Sequence, residues 1–195
     1  MTKRWAVAWV GLLAAAGLGA FYFPGSKQFI SIDRCLDSGG SWNYRHRSCQ
    51  SAPSDPIDMI LVDKSSHRMM AFRNGRLVRE FRVALGKGGL APKRLQGDGR
   101  VPEGVYRITF HNAASQYHRS LRIGYPTLTQ AEAARQAGVD PGSDIMIHGL
   151  RNGMGLIGSR HVMSDWTAGC IAVTNQEMDW LFDAVPDATP IEIRA

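Results

Sequence analysis

The chain has 195 residues, 44% hydrophobic and 21% charged, with 23 Lys and Arg against 17 Asp and Glu. That length holds a leader and one domain of roughly 140 residues, and it excludes a second large domain. The positive excess is spread, six basic against three acidic residues before Pro56 and 17 against 14 after it. No basic stripe or known binding pattern marks a nucleic-acid partner, and the mild basicity suits an anionic envelope polymer or lipid headgroups.

In MTKRWAVAWVGLLAAAGLGAFYF, Lys3 and Arg4 precede an uncharged stretch from Trp5 to Phe23, long enough to cross a bilayer or act as an export signal. Ala14 and Ala16 offer small residues for cleavage. The stretch nevertheless stays apolar through Phe23, and Trp5, Trp9 and Tyr22 suit the two membrane interfaces. Residues 1–25 are expected to be a signal peptide or, by preference, an uncleaved inner-membrane anchor, with the body outside the cytoplasm.

Residues 26–56 are expected to be a short disulfide-closed segment and a linker. Cys35 and Cys49 bracket a Gly- and Ser-rich stretch, and in an oxidising compartment they can close a loop worth roughly 3 kcal/mol. A zinc reading of Cys35, His46 and Cys49 has neither a recognised spacing nor a fourth ligand. Ser51 to Pro56 has linker composition.

From Ile57 the pattern is that of short strands. Met59–Val62, Met69–Phe72 and Leu77–Leu85 read as strands, with Asn74-Gly75 as the hairpin between the last two. Residues 86–104, GKGGLAPKRLQGDGRVPEG, hold too many turn formers for any regular element, and such a long loop is usually functional or disordered. Val105–Phe110 resumes as a strand. SQYHRSLRIGYP, 115–126, reads either as a structural strand or as a grip on a carboxylate-bearing peptide, with Tyr117, His118, Arg119, Arg122 and Tyr125 available. Lys93, Arg94 and Arg100 on the glycine-rich loop have similar standing.

Residues 129–137 predict a short helix stopped by Gly138. Asp144–Gly149 reads as a strand delivering His148 at its end, and the Gly-bearing stretch 151–166 as a mobile loop. Thr174-Asn175-Gln176-Glu177 has the capping-box pattern, followed at helical spacing by Met178, Leu181, Phe182 and Val185. Pro190–Ile193 looks like a last strand. Strands outnumber helices and the hairpins are local, so the fold class is mainly β (α+β) with peripheral short helices, not a doubly wound sheet.

Cys170, in DWTAGCIAVTN, is left over once Cys35 and Cys49 pair. A buried structural thiol would suit the apolar run after it; a nucleophile would need a base and a group to orient that base. His148 and His161 are the candidates. His148 is favoured because Gly149 lets a backbone carbonyl approach the ring and fix its tautomer. Gly169 removes steric cover from the thiol, and backbone N–H groups around Gly169-Cys170 would serve an oxyanion hole.

IMIHG at 145–149 with TAGCIAV at 167–173 resembles the signature of the L,D-transpeptidase catalytic domain, the YkuD-type family, and GDGRVPEGVYRI at 97–108 resembles its strand-and-loop segment. The resemblance spans residues 57–195 and implies an L,D-transpeptidase-type β-sandwich. It also implies that Cys170 is the nucleophile, His148 the base and the Gly149 carbonyl the orienting group, with Thr167 at the hydroxyl position and Gly169 before the cysteine. The implied substrates are peptidoglycan stem tetrapeptides, cleaved through a thioester in the periplasm without metal or other cofactor. Two positions depart from the pattern: Ala168 stands where many members have histidine, and Ala172 where many have arginine or asparagine. The gap from His148 to Thr167 is also slightly long. These departures bear on recognition, for which Arg151, Arg160 or His161 are substitutes. They also motivate two alternatives, a carboxypeptidase or endopeptidase on the same scaffold and a non-catalytic peptidoglycan-binding module.

Overall fold

The computed structural model describes residues 30–32, 34–35, 41–43, 47–50 and 56–195. The apolar stretch from Trp5 to Phe23 lies outside them, and among the described residues no helix is long and apolar enough to cross a membrane. Strands β1 (Ser41–Asn43) and β2 (Ser48–Gln50) form an antiparallel hairpin, and Cys49 is joined by a disulfide to Cys35. That bond takes up both thiols a zinc site would have needed.

The remaining strands form one sheet. β3 (Met59–Asp63), β4 (Arg68–Arg73) and β5 (Arg76–Arg82) make an antiparallel meander, in which Ile60, Val62, Met69, Ala71 and Phe81 are buried by the two-residue alternation of each strand. Asn74 (φ 50°) and Gly75 (φ 71°) form the β4–β5 turn with both residues left-handed, as a type I′ hairpin requires. β6 (Gly104–Asn112), β7 (Ser120–Ile123), β8 (Met146–His148) and β9 (Ile171–Ala172) follow, and β10 (Pro190–Arg194) lies at the centre. The order is β5-β4-β3-β10-β6-β7-β8-β9, with β10 parallel to β3 and antiparallel to β6.

The two ends of the sheet meet. Beyond β5, Ala84 exchanges both backbone hydrogen bonds with Ala172 of β9, and Lys87 N–H donates to the Thr167 carbonyl. The expected sandwich is therefore a single sheet curled on itself, because the strand predicted to run straight to Leu85 leaves β4 after Arg82 and joins the far edge. Its interior is filled from all sides by Ile108, Leu121, Ile123, Ile147, Ile171 and Ile191.

Helix α1 (Leu128–Gln136) is capped by Thr127 with a reciprocal Gln130 contact, and α2 (Asn175–Ala184) by Thr174 with Glu177. Both satisfy orphan N–H groups of a first turn. α2 turns Met178, Leu181 and Ala184 into the core.

Two segments differ from expectation. Stretch 151–166 contains 3-10 turns over Gly155–Met163, kinked at Gly158 (φ 53°), whose left-handed backbone glycine adopts without strain. The glycine-rich loop is irregular but closely held. The Asp98 carboxylate accepts the N–H groups of Arg94, Leu95 and Arg100 and the Lys93 ammonium at 3.0 Å, and these donors hold its pKa down to about 2 against the cost of burial. From the other side the fully buried Lys64 donates to the Leu90 carbonyl at 2.6 Å and pairs with Glu103.

Candidate active site

β8 sits between β7 and β9 and sends Ile147 into the core, which leaves His148 on the opposite face. The ring is buried. Its Nδ1–H donates to the Gly149 carbonyl at 2.7 Å, which leaves Nε2 as the unprotonated nitrogen of the neutral imidazole. Tyr117 stacks on the ring at 4.6 Å between centroids, and Trp166 meets it edge-on at 5.6 Å. Burial pushes the His148 pKa down, against the Gly149 hydrogen bond that pushes it up. Gly149 is required here: a β-carbon would lie 2.8 Å from Asn175 Oδ1, which itself accepts Leu150 N–H.

Cys170 lies one residue before β9. The register pairs Ile147 with Ile171 and His148 with Ala172, so alternation places Cys170 on the face that carries His148, as its diagonal neighbour. The thiol is half-buried and donates to the Asp144 carbonyl at 3.6 Å. Burial and the Asp144 charge push its pKa up, partly offset by the Met146 N–H and the Lys93 ammonium. Both directions favour the uncharged forms, the thiol and the neutral imidazole.

Thr167 shapes the turn before the thiol. Its hydroxyl donates to the Cys170 carbonyl at 2.7 Å and accepts Gly169 N–H at 3.1 Å. Gly169 has φ 122°, and a β-carbon there would lie 2.8 Å from the Arg100 carbonyl oxygen. The glycine-rich loop therefore packs its backbone directly against the turn that carries Cys170. Because Gly169 N–H is already taken by Thr167, its contribution is close approach rather than an open donor.

The fold thus gathers Cys170, His148, Gly149, Thr167, Gly169 and Tyr117. Arg122 reaches the site through Asp144, with which it forms a 2.8 Å ion pair. His161, in the 3-10 turns, is buried, and its charge would act on His148. Arg151 and Arg160 are exposed, and Cys35, in a helical turn, is tied by its disulfide to Cys49 of the β1–β2 hairpin, ahead of the domain. His118 and Arg119 instead tie segment 115–119 to α2 through Asp179. Trp166 and Asp144 were not foreseen; the signal for Trp166 was an aromatic directly before the Thr167–Cys170 turn.

Residues 57–193 match the L,D-transpeptidase catalytic domain, YkuD, and the chain belongs to that family. Among curated proteins it is 30% identical to YafK of Escherichia coli (strain K12) over 115 residues, covering 58% of this chain and 39% of YafK. Among solved structures it resembles Pgp2, the helical cell shape determining protein of Campylobacter jejuni, with TM-score 0.54 and 21% identity over 86% of this chain and 55% of that one. It also resembles Bd1075 of Bdellovibrio bacteriovorus, with TM-score 0.50 and 24% identity over 72% and 48% of the two chains. These structural likenesses concern the fold. The chain spans well under two thirds of the length of each of these relatives.

Proposed function

We propose that residues 57–195 form a cysteine-dependent L,D-transpeptidase that cross-links or remodels peptidoglycan through a thioester on Cys170. The observation that carries this is the pairing of a His148 tautomer fixed by the Gly149 carbonyl with a thiol on the same sheet face. In the reaction, His148 Nε2 takes the thiol proton as Sγ attacks the carbonyl carbon of the bond between the L-centre of meso-diaminopimelate and D-alanine. The C–N bond breaks, His148 returns the proton to the departing amine, and D-alanine leaves. An acceptor amine then attacks the thioester, the C–S bond breaks, and the amine's proton passes through His148 to the thiolate.

Because the resting pair is neutral, proton transfer accompanies attack rather than preceding it. Lys93, close enough to lower the Cys170 pKa, and backbone N–H groups around the thiol supply positive potential for the oxyanion. Tyr117, Arg122 and His161 contact the stem peptide. No step calls for a metal or an organic cofactor. The site faces the periplasm, and residues 5–23 tether the chain to the inner membrane; flotation with lipid vesicles, compared with a chain lacking residues 1–25, tests the tether.

The deciding experiment incubates the purified protein with disaccharide-tetrapeptides and follows products by mass spectrometry against Cys170→Ala. D-Alanine release with dimer formation supports transpeptidation, and release without dimers identifies hydrolysis. No Cys170-dependent change by a folded protein refutes the catalytic reading and leaves a peptidoglycan-binding module.

A further inference from the structure

Buried polar atoms in folded proteins are almost always hydrogen-bonded, and those that are not call for an explanation. Among the described residues, Ser120, His161 and Trp166 each hold a buried side-chain oxygen or nitrogen without a hydrogen-bond partner, and for His161 both ring nitrogens are in this state. Two of them border His148, and His161 lies within electrostatic reach of it. Ser120 lies directly across from it in the β7–β8 register, Trp166 packs edge-on against its ring, and His161 acts on its charge.

Neither the Glu177 carboxylate nor the His148 ring bonds the His161 nitrogens. The Glu177 carboxylate accepts the backbone N–H and the hydroxyl of Thr174 in the α2 capping box. His148 Nδ1 is held by Gly149. His161 follows the kink at Gly158: the 3-10 turns leave Leu156 and Met163 exposed while His161 itself is only 6% exposed. A side chain of this polarity, buried on an otherwise apolar-exposing segment and left with two free nitrogens, is poorly explained as packing alone.

We propose that His161 and Trp166 form a polar subsite beside Cys170 and His148 that reads one peptide group of the substrate. The inference rests on the peptidoglycan reading above and specifies which part of the stem is bound. A neutral imidazole offers one acceptor and one donor, and an indole offers one donor. That set matches a peptide unit, whose N–H donates to His161 and whose carbonyl accepts from Trp166. A free carboxylate would take the two N–H donors but leave the imidazole acceptor unused. Lys93 is paired with Asp98 and Arg122 with Asp144, so neither offers a free cation to a carboxylate.

The test uses full-length protein carrying Cys170→Ala, so that ligand binds without turnover, titrated calorimetrically with disaccharide-tetrapeptide. Adding His161→Leu should weaken binding about tenfold, the loss expected for a buried hydrogen bond. The same variant should keep or raise Tm, because it removes two unsatisfied buried nitrogens, an outcome a structural histidine would not give. His161→Gln, which retains a donor and an acceptor, should restore most of the affinity, and Trp166→Phe should weaken binding while keeping the ring contact with His148. The disaccharide without its peptide should not distinguish the variants.

Equal affinity of the parent and the His161→Leu and Trp166→Phe variants would overturn the proposal and assign these atoms to buried water. Should the leucine variant not fold, the glutamine and phenylalanine variants decide. Absence of binding by the Cys170→Ala parent itself would instead refute the peptidoglycan reading and take the subsite with it.

Discussion

The β-carbon that an alanine would place at position 169 falls 2.8 Å from the carbonyl oxygen of Arg100, so the loop and the thiol-bearing turn are in backbone contact. Gly169 also has φ 122°, a conformation that costs other residues of order 1–3 kcal/mol. Gly169→Ala is expected to lower stability by at least that amount and to displace Cys170. Thermal melts and D-alanine release check the two effects, and an unchanged Tm would show that the loop yields freely.

Removing the imidazole tests the base. His148→Ala is expected to reduce Cys170-dependent turnover by about 10² to 10⁴-fold, the usual range for a positioned general base, while the fold survives. Steady-state rates with a circular dichroism control measure this. Wild-type turnover in the variant would move the base role to His161.

The hydroxyl of Thr167 holds two backbone groups of the turn. Thr167→Val should slow acylation about tenfold by loosening Cys170, and Thr167→Ser should recover it, because only the hydroxyl makes the bonds to the Cys170 carbonyl and Gly169 N–H. Pre-steady-state release of D-alanine distinguishes the two; equal rates in Val and Ser variants would rule the hydroxyl out.

Much of this fold is legible in the sequence, for identifiable reasons. β3 and β4 announce themselves as short apolar runs, β10 by apolar alternation, Asn74-Gly75 by a dipeptide that suits a two-residue hairpin, and α2 by its capping box. The closure between Ala84 and Ala172 has no local marker, since two small apolar residues far apart in sequence carry no sign of their pairing. Nor does composition distinguish a disordered glycine-rich loop from one ordered by Asp98 and by Lys64, a residue of the β3–β4 turn. At the site, Cys170, His148 and Gly149 stand out through their chemistry. Trp166 does not, because its role depends on how the 3-10 turns fold back over His148.

The titration directions set a stability profile. Burial lowers the pKa of His148 and of His161 and raises that of Cys170. As pH falls below about 6.5, the unfolded histidines bind protons that the folded ones refuse, so stability declines. As pH rises above about 8.5, the unfolded thiol loses a proton that the folded one retains, and stability declines again. Tm is expected to plateau between these limits in calorimetric scans. Cys170→Ala should flatten the alkaline side, and His161→Gln should soften the acid side; an alkaline decline untouched by Cys170→Ala would assign it to other groups.

Lower in the acid range the Asp98 carboxylate, held down to about 2, contributes a further loss between about pH 3.8 and 2. Asp98→Asn should cost about 1–2 kcal/mol after solvent screening and open residues 86–104 to protease. Limited proteolysis at neutral pH reads this directly, and a loop as resistant as wild type would show that Lys64 alone maintains it.

The central position of β10 has a consequence for how the protein is made. Ile191 pairs with Ile60 on one side and with Tyr106 on the other, so β10 joins the β3–β5 meander to the strands from β6 onward at the centre of the sheet, while the Ala84–Ala172 and Gly86–Thr167 pairings join them at its edges. During synthesis each half can form its own hairpins as it emerges, but until residue 194 has left the ribosome the inner edges of β3 and β6 stand open. Such edges recruit other strands, and pairings of this sequence separation form slowly. Both connections, at β10 and at Ala84–Ala172, draw on residues from the last part of the chain, so the two half-sheets are expected to stay unjoined until late in synthesis.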